Sequence, residues 1–258
     1  MKPSKQFNSE HTSANPAAPA DWFHHPIGQM VCQEEQTLYD DWVSNLFGYH
    51  ALQVGAMPLD LLRNSRIQHC FRSNAAQPDV LCDSAFLPFQ QHSLDLLLLP
   101  HVLEFSPLPQ QTLREAERVL VPEGHVILTL FNPISPWGLR RMMGCGRSTI
   151  PDLWSAQFFA MPRIRDWLAL LGFEVLQTRM LCHAWPIHSQ KMAQRLSWLA
   201  PLGLKCWPVA GGVYAILARK RVVGMHIIKP GWQSLRVAKK LATTPNKKQI
   251  SHRVKQKL

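Results

Sequence analysis

A chain of 258 residues, 46% hydrophobic and 17% charged, can bury a sizeable core, which excludes wholesale disorder and leaves room for one large domain with an appendage. Its six cysteines, none spaced C-x-x-C, exclude a disulfide scaffold and read as reduced, cytoplasmic thiols. The net charge of +11 is uneven: the first 174 residues carry 12 Lys and Arg against all 17 acids, and the last 84 carry 16 and no acid.

Residues 1–25 are Ser-, Asn-, Pro- and Ala-rich at their start, without an apolar stretch of the kind a signal peptide carries, and are expected to form a disordered leader. From Gln33 to Phe47, Leu38, Trp42, Val43 and Leu46 recur at helical spacing with carboxylates on the other side, and Gly48 is expected to close that helix. Short apolar runs then alternate with helical stretches. Strands are predicted at Ala51–Val54, Ile67–Phe71, Val80–Cys82, Ser93–Leu99 and His125–Phe131. A short helix is expected at Leu59–Asn64, and an amphipathic one at Gln110–Leu120 leads into the Val121–Gly124 turn. Beyond these, the pattern gives a helix at Arg163–Leu171, a sixth strand at Phe173–Met180 and a seventh at Val213–Lys220, whose pairing the sequence leaves open. Nearly continuous apolar strands separated by helices indicate a mostly parallel, seven-stranded α/β sheet covered on both faces.

Leu196–Ala218 runs 23 residues with Lys205 as its only charge, enough on length alone to span a bilayer. Pro201, Gly203, Pro208, Gly211 and Gly212 break such a helix, so the segment reads as part of an apolar insertion, about residues 182–211, within a domain of residues 26–221. Residues 222–258 read as a basic, disordered tail whose natural partner is a polyanion: RNA, DNA or an anionic membrane surface.

Several residues stand where strands of such a sheet present ligands. Pro100-His101 ends the fourth predicted strand, and His101 is the candidate general base because an imidazole titrates near neutrality. Asn132 and Ser135 follow the fifth strand and read either as substrate contacts or as a plain turn. His24-His25 lacks partners at zinc spacing, Gly144-Cys145-Gly146 lacks a catalytic partner, and no metal site is expected.

The segment Asp83–Pro133 resembles class I S-adenosylmethionine (SAM) methyltransferases of the type 11 kind, with a Rossmann-like fold. The matching pieces are Asp83-Ser84, Leu87-Pro88-Phe89, Ser93-Leu94-Asp95, Leu113–Leu120 and Pro122-Glu123-Gly124. Gly48–His50, Phe131–Arg141 and Asp166–Leu176 resemble, more narrowly, the bacterial YafS-like methyltransferase-domain proteins. The resemblance implies SAM as cofactor, held by Gln53 and Gly55 after the first strand, by Asp83 and Ser84 at the adenine, and by Pro100. It also shows departures: Met57 and Leu59, with Pro58 between them, stand where the family has further glycines, and Arg72, Ser73 and Asn74 stand where it has a ribose-binding carboxylate. Two functions follow as expectations. One is a methyltransferase of unidentified acceptor. The other is a methyltransferase fold without activity that binds polyanions through its tail.

Overall fold

The computed structural model describes residues 20–24, 26–55, 57–73, 78–142, 156–183 and 211–221. Residues 1–19, residues 184–210 of the expected insertion, the tail 222–258, Asn74 and the Gly144-Cys145-Gly146 loop lie outside the described residues. Helices α1 (Ala20–His24) and α2 (Pro26–Val43) precede β1 (His50–Val54), β2 (His69–Ser73) and β3 (Leu94–Pro100). Then come α3 (Pro109–Val119), β4 (Leu120–Phe131), α4 (Pro136–Met142), α5 (Met161–Leu170), β5 (Phe173–Leu181) and β6 (Val213–Lys220).

The sheet runs β2-β1-β3-β4-β6-β5, with the first four strands parallel and β6 antiparallel to both its neighbours. The open pairing of the last strand is thereby resolved, since β6 inserts between β4 and β5. Alternate residues of the central strands point to opposite faces. Leu96, Leu98 and Ile127 join Val31, Leu38, Tyr39 and Trp42 of α2 in one core. Leu97, Leu99, Val126 and Leu128 join Leu113 and Val119 of α3 and Ile164 and Leu168 of α5 in the other. Burial on both faces is why these strands carry so few polar residues.

The sheet has six strands among the described residues, not the seven expected. Val80–Cys82 is not a strand, because the N–H groups of Asp79 and Val80 bond back to the Arg72 carbonyl, and only a single bridge, Asp83 to Phe86, follows. The Leu59–Asn64 helix is a run of turns. The expected leader is also shorter than residues 1–25, for Trp22 and Phe23 of α1 are buried in the α2-side core. The Val121–Gly124 turn lies inside β4, where Glu123 takes a φ of +65° and the pairing to β3 slips between Leu94 and Leu96.

Two glycine and lysine positions show how the frame is held. Gly48 does not close α2, which ends five residues earlier. A Cβ at Gly48 would lie 2.3 Å from the Asp95 Cβ, and Asp95 Oδ2 accepts the N–H groups of Tyr49 (2.8 Å) and His50 (3.0 Å). The S-L-D motif therefore sets the start of β1. Lys220, buried at the end of β6, donates to the carbonyls of Glu117 (2.6 Å) and Leu120 (3.1 Å) and pairs with Glu117 Oε1 at 2.8 Å, which caps the end of α3 with a positive charge. Lys220→Met keeps the volume and removes these charge-assisted bonds. We expect it to lower unfolding free energy by about 1.5–3 kcal/mol, seen as a lower urea midpoint at unchanged slope.

Candidate active site at the carboxyl ends of the central strands

Strand order fixes where a ligand belongs. From β1 the chain steps outward to β2 on one side and to β3 and β4 on the other. The crevice beyond the carboxyl ends of β1 and β3 is therefore the topological switch point, where open α/β sheets bind ligands. Gly55 ends β1 there with a φ of +122°, and a Cβ on it would lie 3.0 Å from Val102 Cγ2 and 3.1 Å from the Pro100 carbonyl oxygen. No L-residue side chain suits that backbone or that gap.

Gln53 is fully buried and occupied by its own loop. Its amide donates to the Leu59 carbonyl (2.7 Å) and accepts the Leu61 N–H (3.0 Å), which pins the Met57–Leu61 segment beneath β1. Met57 packs into the α2-side core with Trp22, Phe23 and Leu61, while Pro58 is exposed and Leu59 half-buried. Two carboxylates from elsewhere in the chain meet Arg72 near the end of β2. Asp79 Oδ2 accepts the Arg72 N–H at 2.8 Å, and Arg72 Nη1 pairs with Asp60 Oδ2 at 3.1 Å. Asn74 lies outside the described residues.

Asp83 is half-buried and forms an Asx-type turn, its Oδ1 accepting the Ala85 N–H at 2.9 Å. Ser84 is buried and its hydroxyl meets that of Thr112 at 3.4 Å, which in turn meets Ser106 at 3.0 Å. The two motif pieces that flank this turn are one device. Glu115 and Arg118 of α3 pair at 2.7 Å, Glu115 accepts the Leu87 N–H, and Arg118 donates to the Leu87 and Phe89 carbonyls. Arg118 holds the Glu115 carboxyl below its ordinary range.

Beyond Pro100 the chain turns through His101, whose φ of +51° is a left-handed conformation costing of order 1 kcal/mol that tends to persist at functional sites. The imidazole is completely buried between two equally buried carboxylates. Nε2 donates to Glu35 Oε1 at 2.8 Å and Nδ1 to Glu104 Oε2 at 3.1 Å, and the Phe131 N–H donates to Glu104 Oε1. Burial alone would lower the His101 pKa, but the charges of Glu35 and Glu104 and their hydrogen bonds override it and push it up to about 10. Burial raises the Glu104 carboxyl against the opposing pull of His101. With both nitrogens donating to carboxylates, the ring is an imidazolium with no lone pair for an acceptor's proton. Phe131 lies 4.2 Å from the imidazole ring, and Trp22, Phe23 and Trp137 surround the pair.

Asn132 and Ser135 are both buried, and their polar atoms shape the start of α4. Asn132 Nδ2 donates to the Gly211 carbonyl at 3.0 Å, its Oδ1 accepts the Ile134 N–H, and Ser135 Oγ donates to the Asn132 carbonyl at 2.6 Å.

The sequence reading missed Glu35 by placing the carboxylates of α2 on its outer side. The signal was present: 31, 35, 38, 39 and 42 fall on one helical face, and the other four are Val31, Leu38, Tyr39 and Trp42. Glu104, three residues after His101, is likewise buried, at 2% exposure.

Comparison with known proteins agrees with this frame. The methyltransferase domain family matches residues 59–128. Over 214 residues the chain is 31% identical to the Escherichia coli K12 protein named Uncharacterized protein YafS, covering 81% of this chain and 84% of that one. The chain belongs to the YafS family. Among solved structures, this YafS-family chain shares its fold with a SAM-dependent methyltransferase from Archaeoglobus fulgidus, at a TM-score of 0.55 and 13% identity over 78% of this chain and 97% of that one. A candidate methyltransferase from Bacillus halodurans C-125 superposes at a TM-score of 0.52 with 15% identity, covering 72% and 98% of the two chains. The sheet is thus the Rossmann-like sheet of SAM-dependent methyltransferases, with six strands among the described residues against the seven expected. Among the described residues no helix is long and apolar enough to cross a membrane.

Proposed function

We propose that this chain binds SAM at the β1/β3 switch point and transfers its methyl group to an acceptor seated over the carboxyl ends of β3 and β4. The observation that carries this reading is the convergence of bare Gly55 backbone, the Pro100 carbonyl and the left-handed His101 at the position the strand order reserves for a ligand.

The residues there fit the cofactor at three points. Gly55 permits close backbone approach. Asp83 keeps Oδ2 outside its Asx turn, available to an adenine amino group. Asp79, partly exposed beside the end of β2, offers the carboxylate toward the ribose that Arg72, Ser73 and Asn74 lack. Gln53 acts through the Met57–Leu61 loop it pins. SAM supplies a methyl group on a sulfonium, activated enough that the protein's contribution is largely alignment. His101 is accordingly a positioning residue: it fixes α2 and the β4 end around the acceptor and takes no proton. Asn132 and Ser135 serve the same region by holding the α4 turn.

Calorimetric titration of the full-length chain with SAM and with S-adenosylhomocysteine tests the reading, with micromolar binding expected. Asp83→Ala should weaken both ligands about 10- to 100-fold, the worth of one hydrogen bond to a charged group, while the melting curve holds. Unchanged affinity in that variant would remove Asp83 from the site.

The basic tail adds a recruitment role to this reading. It rests on nine Lys and Arg without an acid in residues 222–258. Deleting these residues should weaken binding to RNA, DNA or anionic vesicles and flatten its dependence on salt. Equal binding by the truncated chain sinks this role and leaves the methyltransferase reading standing.

A further inference from the structure

Two buried polar atoms near His101 have no hydrogen-bond partner among the described residues. One is an acceptor, Glu35 Oε2; the other is a donor, Trp22 Nε1. Glu35 reaches the imidazole through Oε1, and Trp22 stands edge-on to Phe131, 5.4 Å between centroids, while Phe131 lies 4.2 Å from the imidazole. An unpaired buried carboxylate oxygen is costly, which is why such atoms are normally satisfied.

The charges around it sharpen the point. One imidazolium faces two carboxylates, Glu35 and Glu104. The Glu35 charge also raises the nearby Cys32 thiol, to about 12, behind the larger effect of burial. The two carboxylates therefore share a single cation, and Glu35 Oε2 is left without a donor. A protonated amine answers both needs: its N–H bonds the orphan oxygen, and its charge offsets the second carboxylate.

We propose that Glu35 Oε2, walled by Trp22 and Phe131, is the recognition point for a protonated primary or secondary amine, reached when α1 lifts from its place over the site. The amine belongs to one of two molecules: the methionine part of the cofactor, a branch that rests on the methyltransferase reading above, or the methyl acceptor.

Calorimetry on the full-length chain separates the sources. Wild type and Glu35→Gln are titrated with S-adenosylhomocysteine, with 5′-methylthioadenosine, which lacks the amino acid, and with phenethylammonium. A loss of about tenfold or more for S-adenosylhomocysteine alone, the scale of one charged hydrogen bond, assigns the amine to the cofactor. A similar loss for phenethylammonium alone assigns it to the acceptor. Unchanged affinities for all three ligands overturn the site. If neither nucleoside binds wild type, the cofactor reading fails, and phenethylammonium still decides whether the amine site exists. Should Glu35→Gln not fold, wild type decides by two pairs: phenethylammonium against phenethyl alcohol, and S-adenosylhomocysteine against its analogue without the α-amino group. Tighter binding of a charged member supports the site, and equal affinity within both pairs overturns it.

Discussion

His101→Ala should lower the free energy of unfolding by roughly 3–5 kcal/mol, the cost of stranding buried charge. The substitution removes the one cation between Glu35 and Glu104, neither of which water reaches, and leaves both carboxylates in a space lined by Phe131, Phe23 and Trp22. A second change tests that cause. In the His101→Ala background, Glu35→Gln removes one stranded charge and should restore part of the loss. A cavity explanation predicts no such recovery.

The same triad predicts a pH profile with a definite sign. The His101 pKa is raised in the folded state, from an ordinary 6.5 to about 10, so its stabilisation is fully present below 6.5 and is lost as pH rises toward 10. Glu104 is raised as well, and a raised carboxyl also favours the folded state on the acid side and withdraws that support as pH rises. Melting temperature should therefore fall from pH 6.5 to 10 in the wild type and fall less in His101→Ala. Parallel profiles for the two proteins would mean the imidazolium is not the titrating group.

Gly55→Ala should weaken S-adenosylhomocysteine binding by tenfold or more and destabilise the fold by about 1–3 kcal/mol, the usual cost of a forbidden backbone conformation. The added Cβ meets Val102 Cγ2 at 3.0 Å and the Pro100 carbonyl at 3.1 Å, and a φ of +122° suits glycine. Relief requires β1 and β3 to part at the switch point, where the cofactor is proposed to lie. Gly172→Ala is the control. Its φ is +80°, but its Cβ meets only the Arg221 carbonyl, at 3.4 Å, at the start of β5. That variant should lose comparable stability and no ligand affinity. Equal loss of affinity in both would show that Gly55 acts through global stability, not through the site.

What the sequence determined by itself is whatever local chemistry dictates. Apolar runs placed β1, β3 and β6 within one or two residues, because a strand buried on both faces needs continuous Leu, Val and Ile whatever its neighbours are, and the alternating character of β5, a largely exposed edge strand, placed it as closely. The family motifs were legible too, and they prove to be devices of the frame. Asp95 sets β1 beside Gly48, and Glu115 with Arg118 clamps Leu87–Phe89. Gly55 stood out as the one glycine kept where the resemblance places the family's glycine loop after the first strand.

The tertiary structure decided what depends on partners distant in sequence. Glu35 meets His101 across 66 positions, and only that contact turns a candidate base with an ordinary pKa into a locked imidazolium. Asp79 folds back onto Arg72 and so both removes an expected strand and returns a carboxylate to the end of β2. β6 enters between β4 and β5 although long stretches of chain separate it from both. Hydropathy and spacing report what a residue prefers to be near. A buried charge or a strand edge is settled by which group arrives, and that is a property of the folded chain.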